Sequence, residues 1–213
     1  MACAANISNT VNGSITYNGT RYDILALAKW VSYQSWRKSG GLNGMPVAMI
    51  ITQWGFEHGW GTVGLADIQA TLNFAFQRSA CGYSGTYDNS RPSGRNLIFS
   101  TLRDGISAYA KLMIEGYIHV RYAYSRAGGN APGIRAAVKA LQDGYDPNYT
   151  GPASGFCHTQ VFALNSYATR RIWAEHHYPG MDTTITNSNN TCLNSLMYIQ
   201  KTDPNVYGLP NLY

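Results

Sequence analysis

Charged side chains are scarce in this 213-residue chain, where Asp, Glu, Lys and Arg together make up only 13% of the sequence. That share is about half the usual one. The polar groups come instead from 16 tyrosines, 22 glycines and many Asn, Ser and Thr residues. Because 45% of the residues are hydrophobic, the composition excludes a disordered chain and predicts one well-cored domain. Such a surface favours hydrogen bonding to neutral polymers such as glycans.

Long apolar runs are also missing. No stretch of about 18 apolar residues occurs, so the sequence predicts neither a transmembrane helix nor insertion into a membrane. The first residues, MACAANISNTVNGS, have no basic segment followed by an apolar stretch, and no secretory signal peptide is predicted. Internal repeats and low-complexity linkers are absent from the sequence as well.

Metal-ligand spacings are absent too. The cysteines follow no CxxC pattern, and two disulfides and buried free thiols remain equally open for them (Cys3, Cys81, Cys157 and Cys192). His176 and His177 have no HExxH context and no third ligand at a suitable spacing. We therefore predict no metal and no cofactor.

The net charge of +5 and the pI near 9.0 favour an anionic partner. Because the basic residues are scattered along the chain, a nucleic-acid groove is disfavoured. Bacterial cell wall and an acidic membrane surface both remain open as partners on the ground of charge alone.

Apolar spacing predicts a mostly α fold. A first amphipathic helix runs through RYDILALAKWVSYQSWRK, and a buried second helix runs from Pro46 to about Glu57. Between Gly59 and Asn96 the pattern predicts an irregular loop or short β-hairpin that would form a cleft wall. Further helices are predicted after a cap at Ser100, in APGIRAAVKALQDGY and in TQVFALNSYATRRIWAEHHY. The predicted organisation is a lead-in, irregular or partly extended, over 1–22, a catalytic domain over 23–178 and a packed extension over 179–213.

Glu57 is a lone carboxylate within the aromatic run MIITQWGFEHGWGTVG. Helical spacing puts Gln53 one turn before it, and the glycines after it end the helix. Aromatic neighbours such as Trp54 and Trp60 disfavour the charged form of a carboxyl group, and a neutral acid is what protonates a glycosidic oxygen. The alternative is a glutamate that caps a loop or pairs with an arginine.

Four segments of the chain, in the order in which they occur, carry a resemblance to a known family. TQWGFEHGWG resembles the signature AQAALESGWG; the other segments are LNFAF (Leu72 to Phe76), FSTLRDGISAYAKLM (Phe99 to Met113) and LQDGYDPNY (Leu141 to Tyr149). They resemble, in order, the motifs of bacterial endo-β-N-acetylglucosaminidase domains, the lysozyme-like modules of autolysins, flagellar-rod muramidases and some phage lysins. The resemblance covers roughly residues 45–173 of the chain.

This resemblance implies a lysozyme-like helical domain in which Glu57 is the general acid. It further implies that Tyr145 lines the cleft near the cut bond and that Asn73 and Phe74 shape the sugar-binding floor. We expect Gln53 and Trp60, which match the family signature, to bind substrate as well. Two departures stand out: His58 follows the glutamate where the family has a small Ser or Thr, and GYDPNY is two residues shorter than the family motif.

A second carboxylate is expected for a glycosidase, and Asp67 and Asp88 are the candidates. We favour Asp88, which lies in GYSGTYDNSRPSG where the family carries its second acid on a hairpin, together with Tyr83 and Tyr87 as sugar-stacking residues. A turn aspartate that bonds its own backbone is the alternative. The acetamido group of the substrate, acting as internal nucleophile, would dispense with a second carboxylate.

The sequence thus predicts a monomeric peptidoglycan hydrolase of the glucosaminidase type. Muramidase or lytic transglycosylase action by the same fold remains open, as does a catalytically silent wall-binding or virion module. Its substrate lies outside the cytoplasm, so the missing leader suggests a phage-released or virion-carried enzyme, with a secreted autolysin cloned without its leader as the alternative.

Overall fold

The structure is a computed structural model that describes residues 9–37, 44–59, 61–77, 82–83, 85–88, 96–128, 133, 136–137 and 139–140. Trp60, Tyr145, the four cysteines and the extension over 179–213 lie outside these described residues. Helices dominate the described part, beside two small antiparallel sheets, so this part is mostly α as the sequence predicts.

The first sheet is a hairpin of β1 (Ser14–Tyr17) and β2 (Thr20–Asp23). Asn18 and Gly19 form its two-residue turn with φ values of 48° and 75°, the left-handed conformation that an Asn-Gly turn adopts readily. Ile15 is buried in the hydrophobic core. Residues 14–23, most of which lie in the predicted lead-in, therefore form a regular hairpin, which the Asn-Gly pair signals.

The two helices predicted next are confirmed as α1 (Ile24–Arg37) and α2 (Val47–His58). Pro46 lies at the start of α2, where its carbonyl accepts from the amide of Ile50 at 3.1 Å. Helix α2 is buried on nearly every side, as its almost continuous apolar sequence predicts.

Helix α3 (Gly61–Thr71) corrects the prediction of an irregular segment from Gly59 onward. Its buried face is made largely of small residues (Gly61, Gly64, Ile68 and Thr71). A search for regularly spaced large apolar side chains therefore does not detect this helix. The Gly61 amide donates to Thr10 Oγ1 at 2.5 Å, which satisfies one of the amides at the helix start.

The predicted short hairpin is confirmed farther along, as β3 (Gly85–Asp88) paired with β4 (Asn96–Phe99). Leu97 and Phe99 of β4 are buried, whereas Tyr87 of β3 is exposed. Strand β4 packs against α3 and α4, the helix that follows it. The hairpin therefore has an anchored inner strand and an outer strand open to solvent.

Helix α4 (Leu102–Lys111) runs into a π-helical turn (Leu112–Gly116), and α5 (Ile118–Arg126) follows. The N-cap is Thr101 rather than the predicted Ser100, because Thr101 Oγ1 accepts from the amide of Asp104 at 3.0 Å. The same hydroxyl donates to Asp104 Oδ2 at 2.7 Å. Residues 133, 136–137 and 139–140 are helical, in agreement with the helix predicted in APGIRAAVKALQDGY.

The core lies where α2 meets α1 and α3, with α4 packed on α1 and β1 on α3. The β1–β2 hairpin thus shares one core with the helices. Among the described residues, no helix combines the length and the apolar character needed to cross a membrane.

Gly105 generates a stability prediction. A Cβ added there would overlap the carbonyl oxygen of Leu72, since α4 passes directly over that backbone. We expect Gly105→Ala to lower the free energy of unfolding by about 1–3 kcal/mol, the usual effect of overpacking. Urea unfolding measures it, with Ser107→Ala on the same helix as the control that should change stability by less than about 0.5 kcal/mol. Equal stability of the two variants would contradict this packing.

Candidate active site

Glu57 lies at the C-terminal end of the buried helix α2, and its side chain is partly exposed. Gly59 follows with a φ of 80°, the left-handed conformation in which helices commonly end. The helix therefore carries a carboxyl group from the core to the surface and stops there.

Gln53, one turn before Glu57, is buried with only 4% of its surface exposed. Its Oε1 accepts a hydrogen bond of 2.7 Å from the hydroxyl of Tyr109. The side chain of Gln53 is also hydrogen-bonded to Tyr117, which is buried as well. Because a buried amide must be satisfied internally, these two tyrosines account for the burial of Gln53, predicted from the sequence to bind substrate.

Tyr117 also interacts with the candidate acid itself. Burial, and then the negative charge of Glu57, raise the pKa of Tyr117 far above its usual range, while the hydrogen bond from Gln53 opposes the shift. The Tyr117 hydroxyl therefore stays protonated and lies within electrostatic reach of the Glu57 carboxylate. It cannot itself act as a base near neutral pH.

An aromatic cluster supports this network from inside. Trp54 packs against Phe74 with ring centroids 4.6 Å apart and against Tyr109 with centroids 5.3 Å apart. Trp54 is fully buried, and within the described part of the chain its indole Nε1 has no hydrogen-bond partner. Tyr109 thus belongs both to the core and to the polar network.

Asn73 and Phe74, predicted to shape the sugar-binding floor, are both 0% exposed. The Asn73 amide donates to the carbonyls of Gln77 and Leu97 at 3.0 and 2.8 Å, and its oxygen accepts from the Gln77 amide at 2.9 Å. These contacts tie the turn after α3 to strand β4. Because both side chains are fully covered, a direct contact with sugar would require them to be uncovered. Their observed contacts instead hold the turn and β4 in place beneath the candidate site.

The candidate second acid, Asp88, is partly buried at the end of β3, opposite Asn96 of the anchored strand β4. Asp88 lies in a strand, whereas the alternative considered from the sequence places this aspartate in a turn. Of the two tyrosines predicted to stack on sugars, Tyr87 is 48% exposed, whereas Tyr83 is partly buried against the core. Tyr87 is the better placed of the two for a ligand.

His58, the departure from the family pattern, is buried beside Glu57. Its Nδ1 bonds directly to Asp67 Oδ2, and its ring packs on Phe76 with centroids 4.2 Å apart. Its Nε2 is buried and has no hydrogen-bond partner among the described residues. Asp67 is thus engaged in a side-chain pair that holds α3 against α2, which favours Asp88 as the second carboxylate.

Tyr109 and Tyr117 are the members of the site that the sequence reasoning missed. Both lie in or just after the segment FSTLRDGISAYAKLM, which resembled a family helix, but the motif did not single them out. What the two tyrosines share is Gln53 on α2, a contact between different elements that the sequence pattern does not reveal.

Within the described ranges, no group of three His, Cys, Asp or Glu side chains is close enough to hold a metal ion. Comparison with family models, curated proteins and solved structures found no match to this chain. The geometry of the site therefore provides the basis for a functional hypothesis.

The raised pKa of Tyr117 predicts a loss of stability in alkali. The unfolded chain releases this proton near the ordinary tyrosine pKa of about 10, and the folded chain retains it, so the contribution is intact below about pH 10 and is lost as pH rises further. Above pH 10 the free energy of unfolding of the wild type should therefore fall with rising pH, and Tyr117→Phe should make this fall less steep by up to about 1.4 kcal/mol per pH unit.

Urea unfolding between about pH 8 and pH 11 tests this, because the unfolded tyrosine ionises within that window. The exposed Tyr33 offers a matched control, and Tyr33→Phe should keep the wild-type slope. The same slope in Tyr117→Phe as in the wild type would show that Tyr117 does not hold its proton in the folded state.

Proposed function

We propose that this protein is a peptidoglycan hydrolase that cleaves β-1,4 bonds of the cell-wall glycan strand as an endo-β-N-acetylglucosaminidase. Glu57 is its general acid, and its fold is lysozyme-like. Its place of action is the cell wall outside the cytoplasm, and it works as a monomer without metal or cofactor.

The placement of Glu57 is the observation that carries this proposal. The carboxyl group is partly exposed at the end of a core helix, and a hydroxyl that stays protonated lies near it. A general acid must reach the leaving oxygen, and a partly exposed carboxyl group at the end of a helix can do so. A glutamate that only caps a loop has no need of buried tyrosines behind it.

The β3–β4 hairpin supports the same function. It carries a partly buried carboxyl group, Asp88, and the exposed ring of Tyr87 on its outer strand, while β4 is tied down through Asn73. An acid and an aromatic surface on one hairpin suit a wall that contacts sugar rings. The net charge of +5 suits an anionic polymer.

In the proposed reaction the Glu57 carboxyl transfers its proton to the glycosidic oxygen as the bond from that oxygen to the anomeric carbon breaks. The positive charge that develops on the sugar is stabilised from the opposite face. Either Asp88 supplies that stabilisation, as nucleophile or as base for water, or the substrate's 2-acetamido oxygen closes onto the anomeric carbon. Water then completes the hydrolysis and Glu57 recovers its proton.

Muramidase and lytic transglycosylase action use the same single glutamate and are the nearest alternatives. Mass spectrometry of digested walls separates them. Reducing-end N-acetylglucosamine supports the glucosaminidase, whereas reducing-end N-acetylmuramic acid or anhydro-muramic products would replace it with one of the other two. Walls that stay intact would instead favour a catalytically silent wall-binding or virion module.

Replacement of the candidate acid gives the central activity prediction. Glu57→Gln keeps the size of the side chain but cannot donate a proton, so clearing of purified cell walls should slow by about 10²–10⁴-fold. Turbidity loss measures this, with circular dichroism to verify folding. The matched control is Glu115→Gln, which removes a partly exposed carboxylate 3.7 Å from Lys111 and should clear walls at the wild-type rate. Equal clearing by wild type and Glu57→Gln would remove Glu57 from the mechanism.

Replacement of Asp88 distinguishes the two routes. If Asp88 is the second carboxylate, as we expect, Asp88→Asn should lower turnover by about 10²–10⁴-fold, and Asp23→Asn on the distant β1–β2 hairpin should not. A mild effect, together with tight binding of a thiazoline analogue of the cyclised intermediate, would assign the nucleophile to the acetamido group instead.

A further inference from the structure

Helix α1 presents one face to the core and the opposite face to solvent. Its buried positions recur with the period of a helix (Ile24, Ala28, Val31 and Ser35). At about 100° of rotation per residue, the side of the helix about 180° away carries four exposed aromatic and basic residues, which we call the α1 stripe (Lys29, Trp30, Tyr33 and Arg37). Trp30 is 40% exposed and Tyr33 is 50% exposed. Adjacent exposed aromatic residues of this size are typical of a binding surface.

The α1 stripe combines aromatic rings with positive charge. The guanidinium group of Arg37 lies 5.9 Å from the centroid of the Tyr33 ring, so a cation is held beside an aromatic surface. The helix sequence ILALAKWVSYQSWR contains no acid, and Asp23, directly before it, is paired with Arg21 at 3.3 Å. No acid of α1 therefore offsets its cations. Trp, Tyr and Arg are also the residue types that contribute most to binding at interfaces.

The chemistry of the stripe selects among anionic partners. A helix that lies in a membrane surface inserts aliphatic as well as aromatic side chains. The large aliphatic side chains of α1 instead pack on the core (Ile24, Leu25, Leu27 and Val31). Trp30 and Tyr33 offer flat rings with a polar edge, which suits sugar rings and their hydroxyl groups.

Charge spacing favours a glycan over a nucleic acid. Lys29 and Arg37 lie about 12 Å apart along the helix axis, at about 1.5 Å per residue. The phosphates of a nucleic-acid strand recur about every 3.4 Å, so two cations at this spacing would neutralise few of them. Peptidoglycan carries its carboxylates on the peptides of every second sugar, and this sparser charge matches the stripe better.

We propose that the α1 stripe is a second binding surface for the glycan strand of peptidoglycan, in addition to the candidate active site at the end of α2. Trp30 and Tyr33 stack on sugar rings, and the two cations pair with carboxylates of the attached peptides. The choice of polymer rests on the proposed function, although the exposure and charge of the stripe do not. Two surfaces on one polymer raise the effective concentration of the second binding event, which keeps the enzyme on the insoluble wall.

Binding to insoluble peptidoglycan, freed of other wall polymers, gives the first test. Glu57→Gln serves as the parent protein, because it leaves the strand uncut in our proposal. Adding Trp30→Ala and Tyr33→Ala should raise the Kd about tenfold or more, the effect of removing two binding hot spots. Trp30→Phe with Tyr33→Phe keeps both rings and should raise the Kd by less than about threefold. Circular dichroism verifies folding of each variant.

The charges of the stripe are tested in the same parent. Lys29→Gln with Arg37→Gln should weaken binding and make it less dependent on salt, because salt screens exposed charges. The matched control is Arg103→Gln with Arg126→Gln, which removes the same net charge from exposed positions on α4 and α5. This control should bind as the parent does. Equal weakening by both pairs would show that net charge, and not the α1 stripe, determines binding.

Activity provides a second test, in protein that retains Glu57. Trp30→Ala with Tyr33→Ala should slow the clearing of insoluble walls by about tenfold, through the loss of the second surface. The kcat/KM on short soluble glycan fragments, which occupy only the active site, should stay at the wild-type value. A matching loss on short fragments would contradict a separate surface.

The outcomes separate this inference from the proposed function. If the wild type clears no walls but binding still depends on Trp30 and Tyr33, the proposed function fails and the inference stands. If the wild type clears walls and the aromatic substitutions change neither binding nor clearing, the inference alone fails. It also fails if these substitutions abolish only binding to phosphatidylglycerol vesicles, to single-stranded oligonucleotides or to a second copy in analytical ultracentrifugation. Should the aromatic variant not fold, the Lys29→Gln, Arg37→Gln pair decides.

Discussion

A polar side chain on a core helix must find its hydrogen bonds inside the protein, and in this chain that constraint acts most strongly at Gln53. Buried on α2, it is satisfied by the hydroxyls of Tyr109 on α4 and Tyr117, which directly follows the π turn. The irregular turn, the burial of Tyr117 and the surroundings of Glu57 one turn further along are therefore parts of one arrangement.

The need of buried polar groups for internal hydrogen bonds also fixes the β3–β4 hairpin, which faces the substrate in our proposal. Asn73 is fully buried and uses both ends of its amide to join the turn after α3 to β4. Its neighbour Phe74 packs on Trp54 of α2, the helix that carries Glu57. The hairpin and the candidate acid are thus connected through a few well-packed residues, which fixes β4 while β3, with Asp88, forms the outer strand.

His58 shows how a departure from a family pattern can be accommodated. A large ring replaces a small residue directly after the candidate acid, and it is buried by pairing with Asp67 and packing on Phe76. This arrangement joins α2 to α3 in a segment where Gly59 and Gly61 both adopt left-handed backbone conformations. The pair engages Asp67, the candidate for second carboxylate that the sequence analysis ranks below Asp88.

Several features follow from the sequence by itself because they depend on local patterns. Continuous apolar residues predict the buried helix α2 and its end near Glu57, and clustered Gly, Tyr and Asn residues predict the β3–β4 hairpin. Helix α3 escaped prediction because small residues form its buried face. The partner that Tyr109 and Tyr117 share, the burial of Asn73 and the partner of His58 were decided only by the tertiary structure, since each depends on contacts between different elements of the fold. A hydrogen bond between distant residues leaves no periodic trace in the sequence, and the surroundings of Glu57 consist largely of such bonds.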